Sequence, residues 1–407
     1  MIPIPMKRLF LSLFLLFAIS GLFARHRHLN VEALSPRIDS IALYGIESGC
    51  YPGCQIVLVQ DGKIVFSKSY GRQRAGGRKV RNTDLYDLAS ITKSAAVALS
   101  VMKLYDEGRL RIEDRASEYL TWLQGTDKED ITIEELLFHT SGITGWIDFY
   151  SGIPSRKGAV RKRRDATHNL HVFHRMWLAD SYLDTLRTAI ARSPLGPKRY
   201  AYSDVGFDLL VWVVEAITGE SLNSYLKRTF YEPMGIRRTM FLPAEAIPRR
   251  DIVPTMRHDG LRRGKEVRGY CEDNMVAFMG GVGGGAGLFS TGEDLARLFQ
   301  MLLNLGELDG RRYLGEETCR FFLTHTSPLS PRLMGFGKPT ADDPNNRRPF
   351  SAFGHGGVTG TDVWADPENK LIYVYLTNRF SPTRDNDRYM DNGIQRMFQA
   401  ALYDCLE

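Results

Sequence analysis

The chain is predicted to be a single α/β (α+β) protein, with one antiparallel sheet built from both ends of the sequence, helices on its faces and a helical subdomain inserted between. Two observations predict this. Strand patterns sit near both termini, at 55–71 and 361–378, and helical patterns fill the middle. The strongest apolar run, Ser94 to Leu104, carries apolar residues nearly all round, which marks a helix buried in a large core. At 407 residues, with 43% hydrophobic and 25% charged residues, the chain is long enough for that core and ordinary in composition.

Taken in order, residues 1–24 read as an export signal. Met6-Lys7-Arg8 is a short positive start, Leu9 to Phe23 is apolar, and Ala24 offers a small residue before a cut near Arg25. The run is short for a spanning helix, which needs about 20 residues, although an uncleaved anchor is the alternative. The expectation is an exported protein, periplasmic or envelope-associated, with its main domain at 25–407 and the helical insertion at roughly 115–280.

Gln55 to Gly71 reads as a hairpin turning at Asp61-Gly62. Thr132 and Glu135 form a capping box for a helix that runs into His139-Thr140-Ser141-Gly142. Residues 145–200 are the least regular. Six Arg and Lys residues between Arg156 and Arg164 read as a solvated loop, with contact to an anionic envelope surface as the sharper alternative. Nucleic acid is a poor partner for an exported chain. His168, His171 and His174 can share a helical face, but no carboxylate or cysteine stands at ligand spacing among them, so no metal is expected.

Val205 to Thr218 is an apolar helix ended by Gly219, and Ser221 caps the next. The glycine run 280–287 lacks the Gly-Lys-Ser/Thr of a phosphate loop and is expected to let backbone pass close to other backbone or to a ligand. Thr291 caps a helix with Leu295, Leu298, Leu302 and Leu303 inward; Asp391 to Leu406 reads as one closing helix. Five cysteines, an odd number, make no disulfide framework; Cys50 and Cys54 can pair if their turn is tight, but Cys54, Cys271, Cys319 and Cys405 read as small core residues.

The chemistry-bearing residues lie in three stretches. Ser90 and Lys93 stand three apart, which puts them one helical turn apart on one face. A lysine buried there is expected to have a lowered pKa, and a neutral amine beside a serine activates it as a nucleophile. Alone, Ser-x-x-Lys is a pattern that chance produces often. Tyr200-Ala201-Tyr202-Ser203-Asp204 and Phe353-Gly354-His355-Gly356-Gly357-Val358 complete the set.

In this order the three stretches resemble the motifs of the serine β-lactamase and penicillin-binding protein superfamily: Ser-x-x-Lys, Tyr-x-Asn, and Lys or His-x-Gly. The resemblance is nearest to the branch of class C β-lactamases, D-alanyl-D-alanine carboxypeptidases and related esterases. It extends over Tyr86–Ser90, Leu136–Gly142, Tyr202–Phe207, Ala286–Ser290 and Asn378-Arg379. It implies a β-lactamase/transpeptidase-like fold, no metal or organic cofactor, and a small-molecule or peptidoglycan-peptide substrate. Ser90 would form an acyl-enzyme, with Lys93 and Tyr202 moving its proton. The N–H groups of Ser90 and Val358 would form the oxyanion hole, with His355, Gly357 and Asp204 around the substrate. His139 would be structural.

Three departures bear on specificity. Asp204 replaces an amide by an acceptor-only carboxylate, which can pair with Lys93 or repel an anionic substrate. His355 replaces a permanent cation by a titratable one. Gly356 removes a hydroxyl that would help hold a substrate carboxylate. These argue against an efficient β-lactamase. The expected function is an exported D-alanyl-D-alanine carboxypeptidase-like serine hydrolase. A broad carboxylesterase, a weak β-lactamase, and a non-catalytic penicillin- or peptidoglycan-binding module are the alternatives.

Overall fold

The computed structural model describes residues 26–407 apart from 263, 344, 345 and 382. The predicted export signal lies outside the described residues. Helix α1 (Val31–Glu47) leads into strands β1 (Gly53–Gln60) and β2 (Lys63–Gly71). The turn between them has positive φ at both Asp61 and Gly62, the twist that a two-residue hairpin needs. Helix α2 (Leu99–Asp106) continues a widened π turn, Lys93–Ala98. Then come α3 (Asp204–Thr218), α4 (Gly292–Leu303), β3 (Phe353–Gly357), β4 (Thr361–Asp366), β5 (Leu371–Thr377) and α5 (Ile394–Asp404).

The main sheet has the order β3-β4-β5-β1-β2, antiparallel throughout, so strands from both ends of the chain meet at its centre. It is covered on both faces. Ile56 and Leu58 of β1, with Tyr373 and Tyr375 of β5, pack with α1 and α5 in one core. Val57 and Val59 point the other way, into the larger core that holds α2, α3 and α4. Thr132, Ser221 and Thr291 cap their helices as their positions suggest, and Gln55 Oε1 accepts from the Gly292 N–H at 2.9 Å.

Three expectations change. The closing helix is shorter than 391–406: it runs Ile394–Asp404, because Gly393 adopts a left-handed φ of 61° before it and leaves Arg388–Asp391 as a separate turn. The histidines near 170 share no helical face. Leu170–Phe173 and Met176–Leu178 form a hairpin through Arg175, whose φ is positive, within a three-stranded sheet. His168 bonds Asp165 and the Gly158 carbonyl, while His171 stacks on Trp177. Leu303 is only half-buried, at the end of α4. Cys50 and Cys54 do not pair; all five cysteines are free and buried. Arg156 to Arg164 is exposed at each of its basic residues, as a solvated loop requires.

Candidate active site

Ser90 sits in the turn that enters the buried helix, and its approach is strained. Ala89 has φ 46°, unusual for a residue with a Cβ, and the Asp87 carboxylate holds it by accepting the Ala89 N–H at 3.1 Å. The β3–β4 connection is tied to the same turn. Thr359 Oγ1 donates to the Asp87 carbonyl at 2.8 Å, and Thr361 Oγ1 to the Leu88 carbonyl at 3.2 Å. Gly357 is required here: a Cβ would stand 2.4 Å from the Leu88 carbonyl oxygen and 2.2 Å from Thr361 Oγ1. Edge strand β3 therefore lies against the Ser90 turn only because position 357 has no side chain. Among the described residues, neither the Ser90 nor the Val358 N–H finds an acceptor within the protein. Two idle donors beside a hydroxyl can take up a developing negative charge.

Lys93 is fully buried and donates to three oxygens: Ser90 Oγ at 3.2 Å, Asp204 Oδ1 at 2.5 Å and the Gly285 carbonyl at 2.9 Å. All three ammonium protons are thereby used. This corrects the expected lowered pKa. Burial pushes the Lys93 pKa down, but the Asp204 charge, the nearby Tyr202 and the Asp204 hydrogen bond outweigh it, and the net shift is upward. Asp204, the residue that departs from the amide of the motif, thus holds Lys93 as a cation.

Tyr202 precedes α3 and keeps 37% of its surface exposed, so it reaches the site mouth. Lys93 Nζ lies 4.7 Å from its ring centre. His139 fixes it from the other side. The two rings stack at 4.4 Å, His139 Nδ1 accepts the Ser203 N–H at 3.1 Å, and the His139 carbonyl accepts the Ala201 N–H at 2.9 Å. Burial, with the Lys93 and Arg332 charges, keeps this imidazole neutral, as its acceptor role demands. His139 is structural in the sense that it positions Tyr202.

His355 is buried, and its ring centre stands 6.5 Å from that of Tyr202. Its Nδ1 lies 2.7 Å from the Gly356 carbonyl, which can only accept, so Nδ1 carries the proton. Nε2 is buried without a partner and presents a bare lone pair. Burial first, then the nearby Arg332 and Lys93 charges, push the His355 pKa well below the ordinary imidazole value. This is a second correction. At neutral pH His355 is an uncharged acceptor and offers a carboxylate nothing. No steric pressure fixes Gly356, where a Cβ would meet nothing nearer than 3.5 Å.

Asp208, Gly285 and Arg332, outside the motifs, also belong to the site. Asp208, one turn into α3, accepts the Gly284 N–H at 2.7 Å and holds the glycine run whose Gly285 carbonyl receives Lys93. The run must be glycine to fit, since a Cβ on Gly284 would stand 2.1 Å from the Phe207 carbonyl oxygen. Burial pushes the Asp208 carboxyl up to about 8 against its backbone bonds, and the Asp204 charge adds to it. Arg332 is the third. Its guanidinium lies 5.5 Å from the Tyr202 ring centre, and among the described residues it has no hydrogen-bond or ion-pair partner, with Nε buried and unsatisfied. The irregular sequence around Arg332 gave no signal for it; the close backbone approach at 280–287 was legible.

Known proteins give this chain its family. The Beta-lactamase family model matches residues 39–393. An Escherichia coli O157:H7 protein named "Putative D-alanyl-D-alanine carboxypeptidase" is 29% identical over 387 residues, covering 88% of this chain and 85% of its own. The Bacillus subtilis (strain 168) protein named N-acetylmuramyl-L-alanine amidase is 27% identical over 382 residues, covering 84% and 80%. A solved family VIII carboxylesterase superposes with a TM-score of 0.66 at 20% identity, over 92% of this chain and 98% of its own, a likeness of fold. The chain belongs to the beta-lactamase family and is a serine hydrolase of the β-lactamase/transpeptidase-like fold.

Proposed function

We propose that the protein is an exported hydrolase that acylates Ser90 with a D-alanyl peptide or a similar envelope amide or ester. The observation that carries this reading is Ser90 Oγ held 3.2 Å from Lys93 Nζ, beside Tyr202 and the unpaired N–H groups of Ser90 and Val358. Ser90 Oγ attacks the carbonyl carbon, its proton passes into the Tyr202–Lys93 pair, and that pair returns a proton to the leaving group. Water then cleaves the ester, and the proton again leaves through the same pair. Because Asp204 keeps Lys93 protonated, Tyr202 is the group left to accept the Ser90 proton, which it does as a phenolate and becomes a phenol, with the Lys93 charge 4.7 Å from its ring centre. Arg332 receives a substrate carboxylate, the task His355 cannot perform. The relatives' names point to cell-envelope peptides, which suits an export signal; N-terminal sequencing of envelope protein would give Arg25 in place of Met1.

The neutral His355 and the absent hydroxyl at Gly356 favour a second reading, a carboxylesterase with little demand for a carboxylate. Turnover of a D-alanyl-D-alanine peptide, a short-chain neutral ester and a chromogenic β-lactam by one sample separates the two. Mass spectrometry after exposure to a phosphonate or β-lactam should place the adduct on Ser90. Ser90→Ala should lose about 10⁶ in kcat, the cost of removing a nucleophile from a coupled site. An adduct elsewhere, or turnover surviving in Ser90→Ala, overturns the assignment. Binding of the β-lactam with no turnover of any substrate would make this a binding module.

A further inference from the structure

At the end of the main sheet away from Ser90, the first described residues meet the β1–β2 turn. His26 and His28 alternate along an extended segment, so both imidazoles fall on one side of it. The Asp61 carboxylate faces them. His26 Nε2 lies 3.0 Å from Asp61 Oδ1, His28 Nδ1 lies 3.7 Å from Oδ2, and the two rings are 4.7 Å apart. Among the described residues this is the one group of three such side chains whose ligand atoms all lie within 4.8 Å of one another.

The backbone beneath the group is fixed. Gln60 accepts the Leu29 N–H and donates to the Arg27 carbonyl, both at 2.9 Å. His28 exchanges two backbone bonds with Glu407, at 2.8 and 2.9 Å. Asp61 itself is locked at the turn by its positive φ and by its N–H bond to Lys370. Only side-chain rotation is left to adjust.

We propose that His26, His28 and Asp61 bind a divalent transition-metal ion, of the zinc class, with the remaining positions taken by water. Two imidazoles and one carboxylate suit such ions. Ligands about 2.1 Å from a common ion stand no more than about 4.2 Å apart. The two contacts to Asp61 meet this already, and a small turn of the exposed His28 ring closes the third. Lys370 Nζ, 3.8 Å from Asp61 Oδ1, is the competing cation, and the ion would displace it outward. The bound ion would clasp the N-terminal segment, and through His28 the C-terminal Glu407, to the first hairpin. It lies outside the Ser90 site and plays no part in hydrolysis.

The test is a calorimetric titration with Zn²⁺ of untagged protein, its N-terminal residue determined by mass spectrometry so that His26 is known to be present. One ion should bind per chain and raise the melting temperature. The His26→Ala/His28→Ala double variant and Asp61→Asn should each weaken binding by about tenfold or more, while melting like the wild type in the presence of a chelator. Copper(II) bound to the wild type should show hyperfine coupling to imidazole nitrogen, a readout that needs no variant. Absence of stoichiometric binding, binding undiminished in the double variant, or a copper spectrum without nitrogen ligands overturns the proposal and leaves a hydrogen-bonded surface pair.

Discussion

Lys93 and His355 are both buried in the same site, each near Tyr202, and they end in opposite states of charge. Burial opposes the charged form of both. Lys93 has Asp204 within 2.5 Å and two further acceptors, so it stays a cation. His355 has one carbonyl, which a neutral ring satisfies as well as a charged one, and two cations for neighbours. The difference teaches that depth alone does not decide protonation; the sign of the nearest fixed charge does. It also places the positive charge of this site at Lys93 and Arg332 rather than on β3.

The sharpest way to break the comparison is to remove the carboxylate. Asp204→Asn keeps an acceptor for Lys93 but no charge, so burial should take over and the Lys93 pKa should fall by roughly 1–3 units. Lys93 then becomes able to act as the base, and the rising limb of kcat/KM for a neutral ester should move to lower pH. An unchanged pH profile would mean that Asp204 does not set the charge on Lys93.

A smaller effect is expected around His355. Arg332→Gln should raise KM for a carboxylate-bearing substrate by about tenfold or more, the worth of a charged hydrogen bond, and leave a neutral ester unaffected. His355→Gln should change both substrates by the same factor. Since His355 is neutral through the working range, the charged and neutral substrates should also show the same acid-side limb. Selective loss of the charged substrate in His355→Gln, with none in Arg332→Gln, would return the anchoring role to β3.

The smallest effect concerns the group behind Lys93. The folded pKa of Asp208 is about 8, well above about 3.9 for an unfolded aspartate. The folded state thus holds a proton that the unfolded state releases, and wild-type stability should fall as pH rises from about 4 to 8. Asp208→Asn keeps the acceptor for Gly284 and cannot ionise. Its melting temperature relative to wild type should climb by several degrees across that window and level off above it. A constant difference between pH 5 and pH 8 would show Asp208 already ionised in the fold.

Much of this was readable before any coordinate. Hairpin β1–β2 announced itself through Asp61-Gly62, and the cap residues Thr132, Ser221 and Thr291 each marked a helix start. Signals of this kind are local: they depend on the residue and its next three or four neighbours. The hairpin at 170–178 was missed because its turn uses Arg175 with a positive φ, where no glycine or asparagine marks it. Arg332 was missed because its role comes only from lying over Tyr202, which is 130 positions away in sequence.

What the sequence determined by itself is which candidate groups come together and the fold that presents them. Ser90, Lys93 and Tyr202 stand in stretches whose spacing and helix context are local, and the strand patterns at both ends leave one antiparallel sheet as the economical solution. What only the tertiary structure decided is the charge each group carries. Protonation follows from distances across the fold: 111 residues separate Lys93 from Asp204 and 192 separate it from Gly285. Electrostatic energy depends on separation in space and on local burial, neither of which is written in the order of the residues.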